Sequence, residues 1–179
     1  MLYPAYLCDT LLSLAEECAY RPLWSVDILT ELRRNLATRI PQEAADRRIA
    51  QMRRYFRDAE VTGYEPLISD MPNDPKDRHV LAAAICGGAE VIVTANGSDF
   101  KAKDLQPYHI EAVSPDDFLL DQLDLYLLDQ LDLYPGRTLD ALTRQAQRYR
   151  REPRTVLSLL GVLDRSGVSR FASEARRYL

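Results

Sequence analysis

Apolar residues recur along this chain at two different spacings, and the change from one to the other marks out its elements. Leu7, Leu11, Leu14, Ala15 and Cys18 repeat every three or four residues, which predicts a helix over 7–19 ended by Arg21-Pro22. Ser25 offers a hydroxyl cap to a second helix through Asn35, with Ile28, Leu29, Leu32 and Leu36 inward and Glu31 at the edge of that face. Pro41 suits the first turn of a third helix running to about 58, with Ala45, Ile49, Met52 and Phe56 inward. Residues 61–68, interrupted by Gly63 and Pro66, are expected as a short edge strand or irregular segment.

The spacing then shortens. In NDPKDRHVLAAAICGGAEVIVTANGSDF (73–100), Asp74 precedes Pro75 as a capping residue does before the first helical position. Val80, Leu81, Ala84 and Ile85 form a helical packing face closed by Gly87-Gly88. Val91-Ile92-Val93 is β-branched throughout and predicts a strand buried on both faces. Asn96-Gly97 is a turn, Phe100 returns to the core, and 110–113 predicts another strand. From Ser114-Pro115-Asp116-Asp117 onward only helices are expected, broken at Pro135-Gly136, Pro153 and Gly167. One of them holds a tandem copy, LDQLDLYL (120–127) followed by LDQLDLYP (128–135). Eight residues advance a helix by about 80° beyond two turns, so the copies do not share a face. An α/β layer with a helical C-terminal extension follows from this order.

Composition narrows the function classes. Hydrophobic residues make up 46% of 179 positions, enough for a real core, and no apolar run is long enough for a membrane helix. The N-terminus lacks the basic region of a secretory signal, so a cytoplasmic protein is expected. Cys8, Cys18 and Cys86 share no ligand spacing and read as packing thiols in a reducing compartment. With only His79 and His109, a histidine-rich zinc site is disfavoured. Net charge is −4, yet arginines cluster at 33/34, 47/48, 53/54/57 and 148/150/151/154. Their planar forks suit phosphate, and they serve equally as solvated helix faces.

The candidate chemistry is acidic: Glu31, Asp74, Asp77 and Asp99. Hard divalent cations take oxygen ligands, and Mg2+ is usually held by one or two carboxylates plus water and substrate phosphate. Each residue also has a plainer reading. Asp74 and Asp77 suit a helix N-terminus, Glu31 a helix surface, and Asp99 an Asx-type turn.

Taken together, WSVDILTELRR, DPKDRHVLAAAICGGAEVIVTANGSDF and SPDDFL resemble PIN-domain ribonucleases of the VapC type, the toxins of toxin–antitoxin pairs. The resemblance covers 2–120, and EPRTVLSLLGVLDRSGVSRFASEARRYL is similar to the C-terminal extension of one VapC branch. It implies a PIN-like parallel sheet flanked by helices over 1–118 and a helical extension over 119–179. It also implies an endoribonuclease using Mg2+ or Mn2+, with Glu31, Asp77 and Asp99 as catalytic ligands. Thr94, Asn96 and Asp74 would stand beside them. An RNA substrate, a small cognate antitoxin and a homodimer are the implied partners, with no membrane. The family opens with a central strand ending in an aspartate just before L-Y-P-A, whereas this chain begins Met1-Leu2-Tyr3-Pro4-Ala5. The expectation is therefore a PIN-like sheet without that N-terminal strand and its aspartate, through a start placed late or a shortened chain. The alternative function is a catalytically impaired PIN-like module that binds antitoxin or RNA. A metal-dependent phosphatase is a third reading, but no D-x-D nucleophile pattern stands at a strand end.

Overall fold

The computed structural model describes the backbone over residues 5–128 and 136–179. Helices α1 (Ala5–Glu16), α2 (Val26–Ala37), α3 (Gln42–Tyr55) and α4 (Arg78–Gly87) lead to strand β1 (Val91–Val93). The short helix α5 (Ala102–Leu105) and strand β2 (Glu111–Val113) follow. The rest is helical: α6 (Pro115–Leu128), α7 (Gly136–Arg148), α8 (Val156–Arg165) and α9 (Ser169–Ala175). The expectations placed on residues 1–4, including the absent opening strand, and on the second copy of the octad lie outside the described residues.

Packing divides the chain into two compact units, Pro22–Ser114 and residues 5–21 together with Pro115–Leu179. In the first, β1 and β2 pair in parallel with Val91 opposite Glu111 and Val93 opposite Val113. Helices supply most of this unit, as the α/β expectation required. Its core joins Val61, Tyr64, Met71, Leu81, Ile92, Phe100, Leu105 and Ile110. Val91 is 39% exposed while Ile92 is buried, so β1 is not covered on both faces as its composition predicted. Successive side chains of a strand project oppositely, and only that of Ile92 enters the core.

The expected edge strand over 61–68 is replaced by a single parallel bridge, Trp24 to Glu60, and a 3-10 turn over Glu65–Asp70. Pro66 lacks the N–H a ladder needs and instead opens that turn, after Gly63 has reversed the chain at φ 78°. Gly87 marks a close approach, since a Cβ there would lie 2.8 Å from the Val61 side chain. Gly88, at φ 65°, then ends α4 in the left-handed region, and Ala89 N–H donates to Ala84 O at 2.9 Å.

The second unit buries Leu7 and Leu14 of α1 among Leu119, Leu142, Leu159, Leu160, Leu163 and Phe171. Helix α1 therefore belongs in space with the C-terminal helices. A polar chain runs from this core to its partly buried edge. Thr10 donates to Gln145 Oε1 at 2.9 Å, Gln145 Nε2 to Tyr149 Oη at 3.0 Å, and Tyr149 to Asp9 Oδ2 at 2.8 Å. Asp116 lies in the first turn of α6 as its sequence predicted, and it also caps α9 by accepting from Phe171 N at 2.8 Å and Arg170 N at 3.2 Å.

Helix α1 stops at Glu16, short of the expected Ala19, because Cys18 adopts φ 58°. There Cys18 N–H donates to Ala15 O and Ala19 N–H to Leu14 O, the two bonds of a Schellman closure. Two thiols depart from expectation, Cys18 and Cys86 being exposed rather than packed, and none of the three cysteines forms a disulfide. No helix among the described residues is long and apolar enough to cross a membrane.

Candidate active site

Three segments of the unit Pro22–Ser114 supply the acidic residues. Glu31 rides on α2, Asp77 ends the 3-10 turn Pro75–Asp77, and Asp99 ends the 3-10 turn Gly97–Asp99 that follows β1. The two aspartates of the first turn separate their tasks. Asp74 Oδ1 accepts from Lys76 N–H at 3.1 Å and so caps the turn, as its place before Pro75 predicted. Asp77 stands at the N-cap position of α4 yet makes no side-chain capping bond. Its carboxyl faces that of Asp99 instead, and the Lys76 ammonium approaches both.

The turn carrying Asp99 is fixed from the strand outward. Thr94, 7% exposed, donates its backbone N–H to Val113 O at 2.9 Å and accepts Asn96 N–H on Oγ1 at 3.1 Å. The Asn96 amide then donates to Asp99 Oδ2, and the Ser98 hydroxyl donates to Asn96 Oδ1 at 2.8 Å. Thr94 and Asn96 thus hold the loop and one carboxylate. Glu31 Oε1 is 3.7 Å from His79 Nε2, a contact too long for a hydrogen bond. That nitrogen is buried without a partner.

The electrostatics follow from this crowding. Burial raises the Asp77 pKa, the Asp99 hydrogen bond and charge add to that, and Glu31 contributes from farther away, while Lys76 opposes. Asp99 is lowered, first by its hydrogen bond with Lys76 and also by those with Asp77 and Ser98. The pair is therefore asymmetric, with Asp77 the harder of the two to ionise. Lys76 Nζ sits 2.7 Å from Asp99 Oδ2 and 3.9 Å from Asp77 Oδ2. Sequence reasoning passed over Lys76 and His79. The signal for Lys76 was its place between Asp74 and Asp77; His79 lies beside Asp77 but carries no motif of its own.

A hard divalent cation suits these donors. They are carboxylate oxygens only, and the site draws in the Lys76 ammonium to offset its negative charge. No group of three or more His, Cys, Asp or Glu side chains among the described residues is arranged to hold a metal ion. The close pair is Asp77 and Asp99, which matches the one or two carboxylates usual for Mg2+.

A PIN-domain family model matches residues 2–98, more than half of the chain, and spans all of these positions but Asp99. The chain belongs to the PIN-domain family. Beyond this PIN domain, residues 124–177 match the model of the VapC50 C-terminal domain. "Putative ribonuclease VapC50" of Mycobacterium tuberculosis (strain ATCC 25618 / H37Rv) is 48% identical over 115 residues, 64% of this chain. The match spans 63% of that relative's length. No solved structure matches the chain. The two family matches place a VapC-type extension after the PIN domain, as the sequence resemblance implied.

Proposed function

We propose that this PIN domain is a Mg2+- or Mn2+-dependent endoribonuclease, the toxin of a type II toxin–antitoxin pair. The observation that carries the reading is the meeting of Asp77 and Asp99, from two separate turns, about the Lys76 ammonium at 3.9 and 2.7 Å. The name of the relative, a ribonuclease, supports the same activity. Asp77 and Asp99 would hold the ion, with Glu31 adding negative charge nearby. When bound, it supplies positive charge to the scissile phosphodiester and acidifies water, so that hydroxide is available near neutral pH.

The remaining work belongs to the protein. Asn96 keeps Asp99 pointed inward, Thr94 anchors the Asn96 backbone to the sheet, and Asp74 holds the turn that presents Asp77. The same reading carries an RNA substrate, a small antitoxin that covers the site, a homodimer and a cytoplasmic location.

The test is RNA incubated with Mg2+ and the protein. Cleavage is expected, with none after chelation or in Asp77→Asn. RNA left intact by the parent protein while it still binds Mg2+ would overturn the nuclease reading and leave a binding module.

A further inference from the structure

Of the three lysines, 76, 101 and 103, Lys76 is the one that reaches the carboxylates. Its side chain is 63% exposed, whereas that of Asp99 is 12% exposed, so the ammonium enters the cluster from the solvent side. Its backbone is fixed by the Asp74 cap, so the side chain starts from a constrained point at the mouth of the pair. The charge fits what it meets: two carboxylates in contact, with a third nearby, leave the site short of positive charge.

We propose that the Lys76 ammonium is a built-in counter-cation of the Asp77–Asp99 pair, and that a divalent cation enters by exchange with it. The proposal rests on reading the pair as the metal site. An ammonium 2.7 Å from Asp99 Oδ2 uses oxygen lone-pair density that a hard cation also needs. A single and a double positive charge also repel across so small a cluster. Departure costs little. The ion pair is solvent-facing, and the released lysine regains rotamer freedom. Before the ion arrives, Lys76 offsets the repulsion between the carboxylates and keeps both turns in place. The site is thereby assembled in advance, at the expense of some affinity.

Two measurements on the full chain test this. In a Mn2+ titration followed by the electron paramagnetic resonance of free Mn2+, Lys76→Met is expected to bind about two- to fivefold tighter than the parent, the scale of an exposed ion pair. Lys101→Met, which removes the same charge two residues from Asp99, is expected to bind as the parent does, and Asp77→Asn to lose binding. In parallel, acetylation of the parent by an amine-reactive ester, read by mass spectrometry, should increase at Lys76 relative to Lys101 and Lys103 when Mg2+ is added. Equal affinity of Lys76→Met and parent, with Lys76 labelling unchanged by Mg2+, overturns the exchange and leaves the metal site standing. Equal tightening by Lys101→Met also overturns it, because the effect is then one of general charge. If neither the parent nor Lys76→Met binds Mn2+, the metal-site reading fails and the exchange fails with it.

Discussion

Asp74 and Asp77 lie three residues apart in one turn, yet one holds a backbone N–H and the other faces a carboxylate. Either residue type suits a helix N-terminus, so the sequence alone leaves both readings open for each. The distinction comes from Asp99, which arrives from a turn some twenty residues further on and gives Asp77 a partner more demanding than the helix end. Like charge and burial make an ionised Asp77 unfavourable in the folded protein. Asp77→Asn is therefore expected to raise the thermal midpoint by a few degrees while abolishing cleavage, the usual exchange of stability against function at such sites. Calorimetry beside an RNA assay checks both. Asn96→Ala removes the amide that directs Asp99 and should lower cleavage by about 10–100-fold, the range for residues that orient metal ligands. Circular dichroism should stay that of the parent.

At the scale of elements, caps and helical faces were legible because their signals are local. Ser25 caps α2 through Ile28 N–H at 3.3 Å and Gly88 closes α4, both at the positions where composition pointed. What composition missed depended on residues far along the chain. The exposure of Val91, the bridge that takes the place of the 61–68 strand and the service of Asp116 to α9 are of this kind. The end of α1 was missed for a different reason, since cysteine is not a residue expected at positive φ. Gly87 offers a test of element packing. Gly87→Ala sets a methyl against Val61 and Leu23, and is expected to cost about 1–3 kcal/mol in urea unfolding. The tyrosine just after α7 offers another. Burial raises the Tyr149 pKa above its ordinary 10.0. An unfolded tyrosine then ionises before the folded one, so the stability it contributes is intact below about pH 10 and lost as pH climbs beyond. Alkaline unfolding followed by tyrosine absorbance should show this loss, and Tyr149→Phe should flatten it.

Across the whole molecule, sequence order and packing order diverge. The PIN-domain match begins at residue 2 and so includes α1, while α1 buries its apolar face among helices that follow Pro115. A fragment over 1–114 keeps α1 but lacks its partners, and should expose Leu7 and Leu14, bind a hydrophobic dye and self-associate. The full chain should bind no dye and form nothing larger than the homodimer, as size-exclusion chromatography with dye fluorescence would show. Within the intact chain, Gln145→Ala leaves Thr10 and Tyr149 without their shared partner. It is expected to destabilise the α1-containing unit by about 1–3 kcal/mol while Mn2+ affinity at Asp77 stays unchanged. The hydrogen bond from Thr10 to Gln145 spans 135 positions of sequence. On the ribosome, α1 leaves the exit tunnel early and its packing surface leaves late. The unit Pro22–Ser114 has emerged, acidic cluster included, before α1 has anything to fold against. An apolar helix must therefore wait through most of translation, which makes the nascent chain a client for chaperones at its N-terminal end.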